Sequence, residues 1–221
     1  MNQARKRTTM QKVLSMILVL VMLLSLMSMS AFTMATNETG ASSSARNDFM
    51  RVFHLDCGRK YFSVAEIKSL IDTASAANYT HIELAVGNDS LRFLLDDMSV
   101  TVDGKTYASD DVKTQIHNGN VKYYDAGSVN ELSQSDMDAI IAYAQSKNIS
   151  IIPLINTPGH MDAILSAATS LTGVNCSAYD SVRTIDVANT TAVAFTQALL
   201  QKYINYFAGK GCGYFNMGAD E

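Results

Sequence analysis

The feature that most limits the fold of this chain is the alternation of short apolar runs with longer amphipathic runs. The short runs have the length and apolar composition of buried strands, and they cover 51–58, 81–87, 149–155 and 214–218. The longer runs carry apolar residues at helical spacing, and they cover 63–79, 133–148 and 192–211. Strands that alternate with helices pair in parallel through right-handed crossovers, so the sequence predicts an α/β fold.

Two α/β architectures fit this alternation, a doubly wound sheet and a (β/α)8 TIM barrel. No GxGxxG or P-loop pattern follows the first strand, which disfavours a nucleotide-binding fold. Polar residues instead gather where the strands end: Asp56, Arg59, Asn88, Asp89, Asn156, His160, Asp220 and Glu221. Both architectures place ligands at the carboxyl ends of parallel strands, so this edge is the predicted site in either case.

Local signals fix the start of two helices and one hairpin. Ser63 with Glu66 three residues later is a capping-box pattern, and Ser133 is positioned to cap the 133–148 helix. An Asp-Gly turn within 101–111 predicts an inserted hairpin. Because four strands do not close a barrel, the barrel interpretation implies that the sequence is truncated and covers about the first four β/α units.

The first 48 residues are predicted to lie outside this domain. Residues 1–35 combine a basic start, a long apolar run and small residues, which is the pattern of a secretory signal peptide. A retained membrane anchor is the alternative, because the uncharged run is nearly long enough to span a bilayer. The polar, small residues of 36–48 are typical of a linker. The protein is therefore predicted to be secreted or held at the cell surface.

The charge of the chain limits the class of partner, and the spacing of its cysteines bears on disulfides and zinc sites. Four of the 17 basic side chains, and none of the 21 acidic ones, lie in residues 1–35, so the rest of the chain is acidic. An acidic domain is a poor partner for nucleic acid but is compatible with a neutral sugar. Cys57, Cys176 and Cys212 cannot all pair with one another and show no zinc-site spacing, which favours buried thiols.

Adjacent carboxylates end the fourth predicted strand. Asp220 and Glu221 follow the run 214–218, and two carboxylates in one pocket acquire different pKa values, which suits glycoside cleavage. A solvated loop pair is the alternative. His160 is placed at a strand end by the Pro158-Gly159 turn, although it could equally be a helix-start histidine bonded to nearby backbone.

Two further side chains near strand ends are candidates for substrate contact. Arg59 can donate several hydrogen bonds to sugar hydroxyls, and a salt bridge to Asp56 or Asp89 is its alternative role. Asp89 is positioned in the chain to orient His160, as an acid orients a catalytic imidazole.

Several stretches together resemble the exported β-N-acetylhexosaminidases of Gram-positive bacteria in glycoside hydrolase family 20. They are RKYFSVAEIKSLIDTASAANYTHIELAVGNDSLRFLLDDMSV, KTYASDDVK, IIPLINTPGHMDAIL, RTIDVAN and YFNMGADE. The resemblance covers 49–221 and implies a (β/α)8 barrel with its catalytic Asp-Glu pair at the end of strand four. It departs from the common family pattern in LINTPGH and AVGNDSLRF, where many members carry more acidic or His-rich residues.

The resemblance implies a role for each candidate residue and needs no metal or cofactor. Glu221 would be the general acid/base, and Asp220 would hold the 2-acetamido group of a terminal GlcNAc or GalNAc while that group attacks the anomeric carbon. Arg59 would bind sugar hydroxyls, and His160 with Asp89 would form a supporting pair. A lacto-N-biosidase-type enzyme that releases a disaccharide, and a non-catalytic carbohydrate-binding or adhesion module, are the alternatives.

Overall fold

The computed structural model describes residues 49–124, 130–178 and 181–219. The predicted signal peptide and linker, and the Asp220-Glu221 pair, lie outside these residues. The strands are β1 (Val52–Asp56), β2 (His81–Asn88), β3 (Ser90–Leu91), β4 (Val100–Val102), β5 (Lys105–Tyr107), β6 (Ser150–Thr157) and β7 (Asn216–Gly218). The helices are α1 (Val64–Ala76), α2 (Ser109–Tyr124), α3 (Gln134–Ser146), α4 (Asp162–Thr172) and α5 (Thr190–Gly209).

Four strands form one parallel sheet in the order β1-β2-β6-β7, and β3 pairs antiparallel with β2. Each parallel strand lies beside the next parallel strand of the chain, which is the order that β/α barrels use. A doubly wound sheet would instead reverse its strand order at a switch point. The predicted α/β fold of parallel β/α units is therefore confirmed, and its strand order is of the TIM-barrel type.

Helices α1 and α3 begin where the sequence predicts. Ser63 caps α1 and forms a capping box with Glu66, and Ser133 forms the same arrangement with Asp136 at the start of α3. In each box the serine hydroxyl accepts a backbone N–H that the helix itself leaves unpaired, while the acid accepts the serine N–H. The buried positions of α3, which include Met137, Ile140 and Ile141, lie on one face, as their helical spacing requires.

Two helices were not predicted from the sequence. Helix α2 contains Gly119 and Asn120 among its buried residues, and its polar composition gives a weak periodic signal. The Asn120 side chain accepts from the Leu91 N–H and donates to the Leu91 carbonyl, both at 2.9 Å, so it pairs with β3 as a neighbouring strand would. Helix α4 follows the Pro158-Gly159 turn directly, and the segment before it resembles a loop.

The predicted hairpin within 101–111 is confirmed as β4 and β5, which join through Asp103 and Gly104. Both turn residues have positive φ, 51° and 77°, which explains the Asp-Gly sequence because these residues adopt left-handed backbone at little cost. Within residues 49–124, 130–178 and 181–219, no helix combines the length and apolarity that crossing a membrane would need.

The interpretation of 214–218 as a fully buried strand was wrong. Strand β7 contains only Asn216–Gly218, Tyr214 is 57% exposed and Met217 is 46% exposed. Among the described residues β7 bonds to a neighbour only on its β6 side, so its other edge is left uncovered. The prediction of burial rested on the apolar composition of the run, which does not show whether a strand has one neighbour or two.

Candidate functional site

The carboxyl ends of the four parallel strands surround an open cleft of about 380 Å³. Residues of every parallel strand, and Arg59 from the loop after β1, line it: His54, Asp56, Arg59, Glu83, Ala85, Asn88, Leu154, Asn156, Asn216 and Gly218. The lining is rich in amides and charged groups, which is the chemistry that binds sugar hydroxyls. The edge of the sheet that the sequence indicated therefore carries a cavity.

Strand register explains why these residues meet. Asp56 lies opposite Ala85, Ala85 opposite Leu154, and Leu154 opposite Asn216 across successive strands. Residues in register on parallel strands point to the same face of the sheet, so this row forms the wall of the cleft. His54 and Glu83 form a second aligned pair, and their side chains bond at 2.8 Å.

Arg59, Asp89 and His160 form a connected cluster beside the cleft. Arg59 Nε donates to Asp89 Oδ2 at 2.8 Å, and His160 Nδ1 lies 2.6 Å from Asp89 Oδ1. Arg59 Nη2 is 3.1 Å from the same His160 nitrogen. Asp89 and His160 are buried, whereas Arg59 is half-exposed and lines the cleft. One buried carboxylate thus orients both an imidazole and a guanidinium that faces the cavity.

The backbone holds Asp89 and His160 in place. Both have positive φ, 62° and 53°, which few residues other than glycine adopt. The Asp89 N–H donates to the His160 carbonyl at 2.7 Å, and the Ala163 N–H donates to the Asp89 carbonyl at 2.9 Å. Because two backbone hydrogen bonds join the β2 end to the start of α4, the side-chain pair does not depend on flexible loops.

Hydrogen bonds to Asp56 and from Arg92 hold the loop that carries Arg59. Asp56 Oδ1 accepts the N–H groups of Gly58 and Arg59 at 3.0 Å, and Asp56 Oδ2 accepts from Asn88 at 2.9 Å. A side chain at Gly58 would meet the Asn88 backbone at 2.5 Å, so only glycine allows this approach. The buried Arg92 donates from Nε to the Gly58 carbonyl at 2.8 Å and fixes the same turn.

The structure describes some of the predicted site residues and not others. It brings Arg59, Asp89 and His160 together, and the predicted ion-pair partners of Arg59 are both present, at 2.8 Å for Asp89 and 3.9 Å for Asp56. Asp220 and Glu221 lie outside the described residues. Ala219, which precedes them in the sequence, donates its N–H to the Thr157 carbonyl at 2.8 Å, beside the turn that leads to His160.

Sequence reasoning missed three ionisable side chains at this edge. Arg92 fastens the Arg59 loop, Glu83 bonds to His54 and Asn216 inside the cleft, and Asp162 lies buried at the start of α4. Strand alternation could have identified Glu83, because it precedes Ala85 by two positions and so shares its face. Asp162 gives no such signal, since an acid in the first turn of a helix is common.

The described residues carry no group of three His, Cys, Asp or Glu side chains that could hold a metal ion. All three cysteines are free thiols: Cys57 and Cys176 are buried and Cys212 is partly buried. Burial, with the Asp56 carboxylate nearby, raises the pKa of Cys57 to about 12, and burial raises that of Cys212 to about 11. Such thiols are unreactive at neutral pH, which supports their assignment as core residues.

Comparison with known proteins gives one family over the whole described domain. Residues 49–221 match the catalytic domain of glycosyl hydrolase family 20. A solved structure of the pneumococcal virulence factor StrH shares 47% identity with this chain and superposes with a TM-score of 0.74. That match covers 77% of this chain and 42% of the StrH chain.

More distant relatives share either the fold or part of the sequence. A family 20 β-N-acetylhexosaminidase from Streptomyces coelicolor has a TM-score of 0.58 at 23% identity, over 77% of this chain and 33% of its own. A lacto-N-biosidase from Bifidobacterium bifidum is 32% identical over 89 residues, which is 40% of this chain and 8% of that enzyme. The chain therefore spans less than half the length of each of these relatives. Since the family match covers most of its residues, the chain belongs to glycosyl hydrolase family 20.

Proposed function

We propose that the full-length protein is an exo-β-N-acetylhexosaminidase, which removes terminal β-linked GlcNAc or GalNAc from glycans. The observation that carries the proposal is the family 20 match over 49–221, together with the Arg59-Asp89-His160 cluster beside the cleft. The tandem family 20 modules of the pneumococcal exo-β-D-N-acetylglucosaminidase StrH, with 48% identity over 77% of this chain, support an exo-acting enzyme.

The proposed reaction retains configuration and uses the substrate's own acetamido group as nucleophile. Glu221 donates its proton to the glycosidic oxygen while the acetamido oxygen bonds to the anomeric carbon and the glycosidic bond breaks. Asp220 stabilises the positive charge that develops on the acetamido nitrogen. The Glu221 carboxylate then takes a proton from water, the water oxygen bonds to the anomeric carbon, and the oxazolinium ring opens.

The described side chains supply binding and support for this chemistry. Arg59 lines the cleft, where Asp89 holds its guanidinium, a group whose planar donors suit sugar hydroxyls. His160 and Asp89, buried together, are proposed to support the acid/base residue near the leaving group. An attacking group that belongs to the bound substrate removes a bimolecular entropy cost, which amounts to several kcal/mol.

We further propose that residues 49–221 form about the first four units of a (β/α)8 barrel. The sequential order β1-β2-β6-β7 supports this arrangement. Residues 1–35 are proposed to be a signal peptide and 36–48 a linker, so that the enzyme acts outside the cell. The substrate is a glycan, and the acidic domain is not suited to nucleic acid.

The decisive experiment compares the full-length protein with its Glu221→Gln variant on aryl β-GlcNAc and aryl β-GalNAc substrates. Loss of the proton donor should reduce kcat by at least about 100-fold while substrate still binds, because general acid catalysis contributes roughly 10² to 10⁴. Glu131→Gln, which alters an acid away from the cleft, is the control and should retain activity.

Three other outcomes would each exclude the proposal in a different way. Turnover that survives in Glu221→Gln would show that another residue is the acid. Release of a disaccharide, but of no monosaccharide, would assign the lacto-N-biosidase-type activity. Sugar binding without turnover by the folded wild-type protein would assign a carbohydrate-binding module.

A further inference from the structure

Asp162 is a buried carboxylate that the proposed reaction does not use. It is the first residue of α4 and is 1% exposed. Its Oδ1 lies 3.6 Å from Arg183 Nη2, and its Oδ2 has no hydrogen-bond partner. For a buried carboxylate with one long ionic contact and one unpartnered oxygen, the ionised form is unfavourable. Its protonation state is therefore sensitive to neighbouring charges.

The backbone connects Asp162 rigidly to the Asp89-His160 pair. Asp89 donates its N–H to the His160 carbonyl and accepts the Ala163 N–H, so residues on both sides of Asp162 hold the Asp89 backbone. The Met161 N–H donates to the Arg183 carbonyl at 2.9 Å, which brings the Arg183 segment over the same turn. These bonds place the start of α4, which carries Asp162, directly beside the Asp89 backbone.

The charges around Asp162 have opposing effects on the pKa of its carboxyl group. Burial raises the pKa of the Asp162 carboxyl, the Arg183 guanidinium lowers it, and the Asp89 carboxylate raises it further. Beyond Asp89, the described charged or titratable groups of this cluster include His160, Arg59 and, paired with Arg59, Asp56. Helix α2, which packs against α4, contributes the neutral Gly119 against Ala163.

We propose that Asp162 is a positioning residue that titrates together with the Asp89-His160 pair and so sets the pH range in which that pair works. A neutral Asp162 leaves the Asp89 carboxylate facing His160 and Arg59 without an added negative charge from the start of α4. An ionised Asp162 adds a second negative charge, which favours the imidazolium form of His160 and repels Asp89. The consequence for catalysis rests on the proposed hexosaminidase function, whereas the electrostatic coupling does not.

The coupling is tested without any turnover by following the His160 ring through a pH titration with NMR, in full-length protein labelled at histidine. Asp162→Asn keeps the shape of the side chain and removes its charge. His160 should titrate at lower pH in this variant, by at least about 0.5 pH unit, because the second negative charge is gone. An unchanged His160 titration would overturn the proposal. His160→Gln identifies the resonance among the four histidines.

The effect on the reaction is tested by the pH profile of kcat/KM. Wild-type activity should fall on the alkaline side as Glu221, the proposed general acid, loses its proton, and the ionisation of Asp162 should add to this fall. Asp162→Asn should lack that ionisation and should keep kcat/KM within about threefold of wild type on the acidic side. A loss by the same factor at every pH would indicate a merely structural role and would overturn the proposal.

Arg183→Gln provides a second test that does not alter the buried site itself, because Arg183 is about half-exposed. Removing this cation disfavours ionised Asp162, so the alkaline limb of the profile should move to higher pH. A limb that does not move would contradict the proposal. If no substrate is turned over but the His160 titration shifts as expected, the positioning role stands and the hexosaminidase function fails.

Discussion

Two pairs of helices in this domain are held together in different ways. Helices α1 and α3 contact each other through exposed polar groups: Lys147 bonds to Asp72 at 2.6 Å, and the Tyr143 hydroxyl donates to the same carboxylate at 2.9 Å. Helices α2 and α4 instead meet closely at Gly119 and Ala163, where an added Cβ would lie 2.9 Å from the Ala163 backbone. The first contact is tolerant of change, and the second is not.

The two pairs also begin differently. Ser63 and Ser133 give α1 and α3 a local start signal in the form of a capping box. Helix α4 begins at Asp162 with no side-chain cap, directly after the His160 turn, and its first residues are buried. Helix α4, which begins without a side-chain cap, is the helix that follows the candidate site, so tertiary packing, not capping, places His160 and Asp162.

Of the substitutions in these two helix pairs, Gly119→Ala should lower the free energy of unfolding most. The new methyl group meets backbone atoms of Ala163, which cannot move aside as a flexible side chain would. Overpacking of this kind costs about 1–3 kcal/mol, which should exceed the gain in helix propensity. Denaturant unfolding of the protein measures the loss of stability.

Gly209→Ala is the matched control for Gly119→Ala. Gly209 is also helical, and an added Cβ there has no atom within 4 Å. The control should be neutral or slightly stabilising, because alanine restricts the unfolded chain more than glycine does. Equal effects of the two substitutions would show that the α2–α4 contact is not tight.

Removing a cap from the other pair should have a smaller effect. Ser63→Ala deletes the hydroxyl that accepts the Glu66 N–H at the start of α1, which costs about 1 kcal/mol. Ser69→Ala, at an exposed position of the same helix, should be neutral. Thermal unfolding compares the two variants, and an equal change in Tm would mean that the capping box does not contribute.

The smallest effect is expected from Asp72→Asn. Hydrogen bonds from Lys147 and Tyr143 hold the pKa of Asp72 below its usual range. Its contribution to stability is therefore present above the unfolded pKa of about 3.9 and is lost as the pH falls through the lower folded pKa. Because the group is exposed, the contribution is small and sensitive to salt.

The measurement is the difference in Tm between wild type and Asp72→Asn. A small difference should appear at about pH 7, where Asp72 is charged in both states, and should shrink as the pH falls below the unfolded pKa and through the lowered folded pKa. Adding about 1 M salt at neutral pH should also reduce it, since the Debye length falls to roughly 3 Å. A difference that grows in acid would contradict the assigned ion pair.

Part of the candidate site could be predicted because it follows from chain order alone. Polar residues that directly follow predicted strands meet at one edge of a parallel sheet, which identified Arg59, Asp89 and His160. Arg92 could not be identified in this way, because its role depends on where the Gly58 carbonyl lies. Asp162 was missed for a similar reason, since only the packing of α4 shows that its carboxyl is buried.

The sequence by itself determined the elements whose signals are local. These are the four parallel strands, the capped helices α1 and α3, the helix α5 and the Asp-Gly hairpin, since periodicity, capping and turn chemistry act within a few residues. Only the tertiary structure decided that α2 and α4 form, that the β7 run is partly exposed, and that Asp89 is held between His160 and Ala163. Those features depend on contacts between residues far apart in the chain, and such contacts leave no periodic pattern in the sequence.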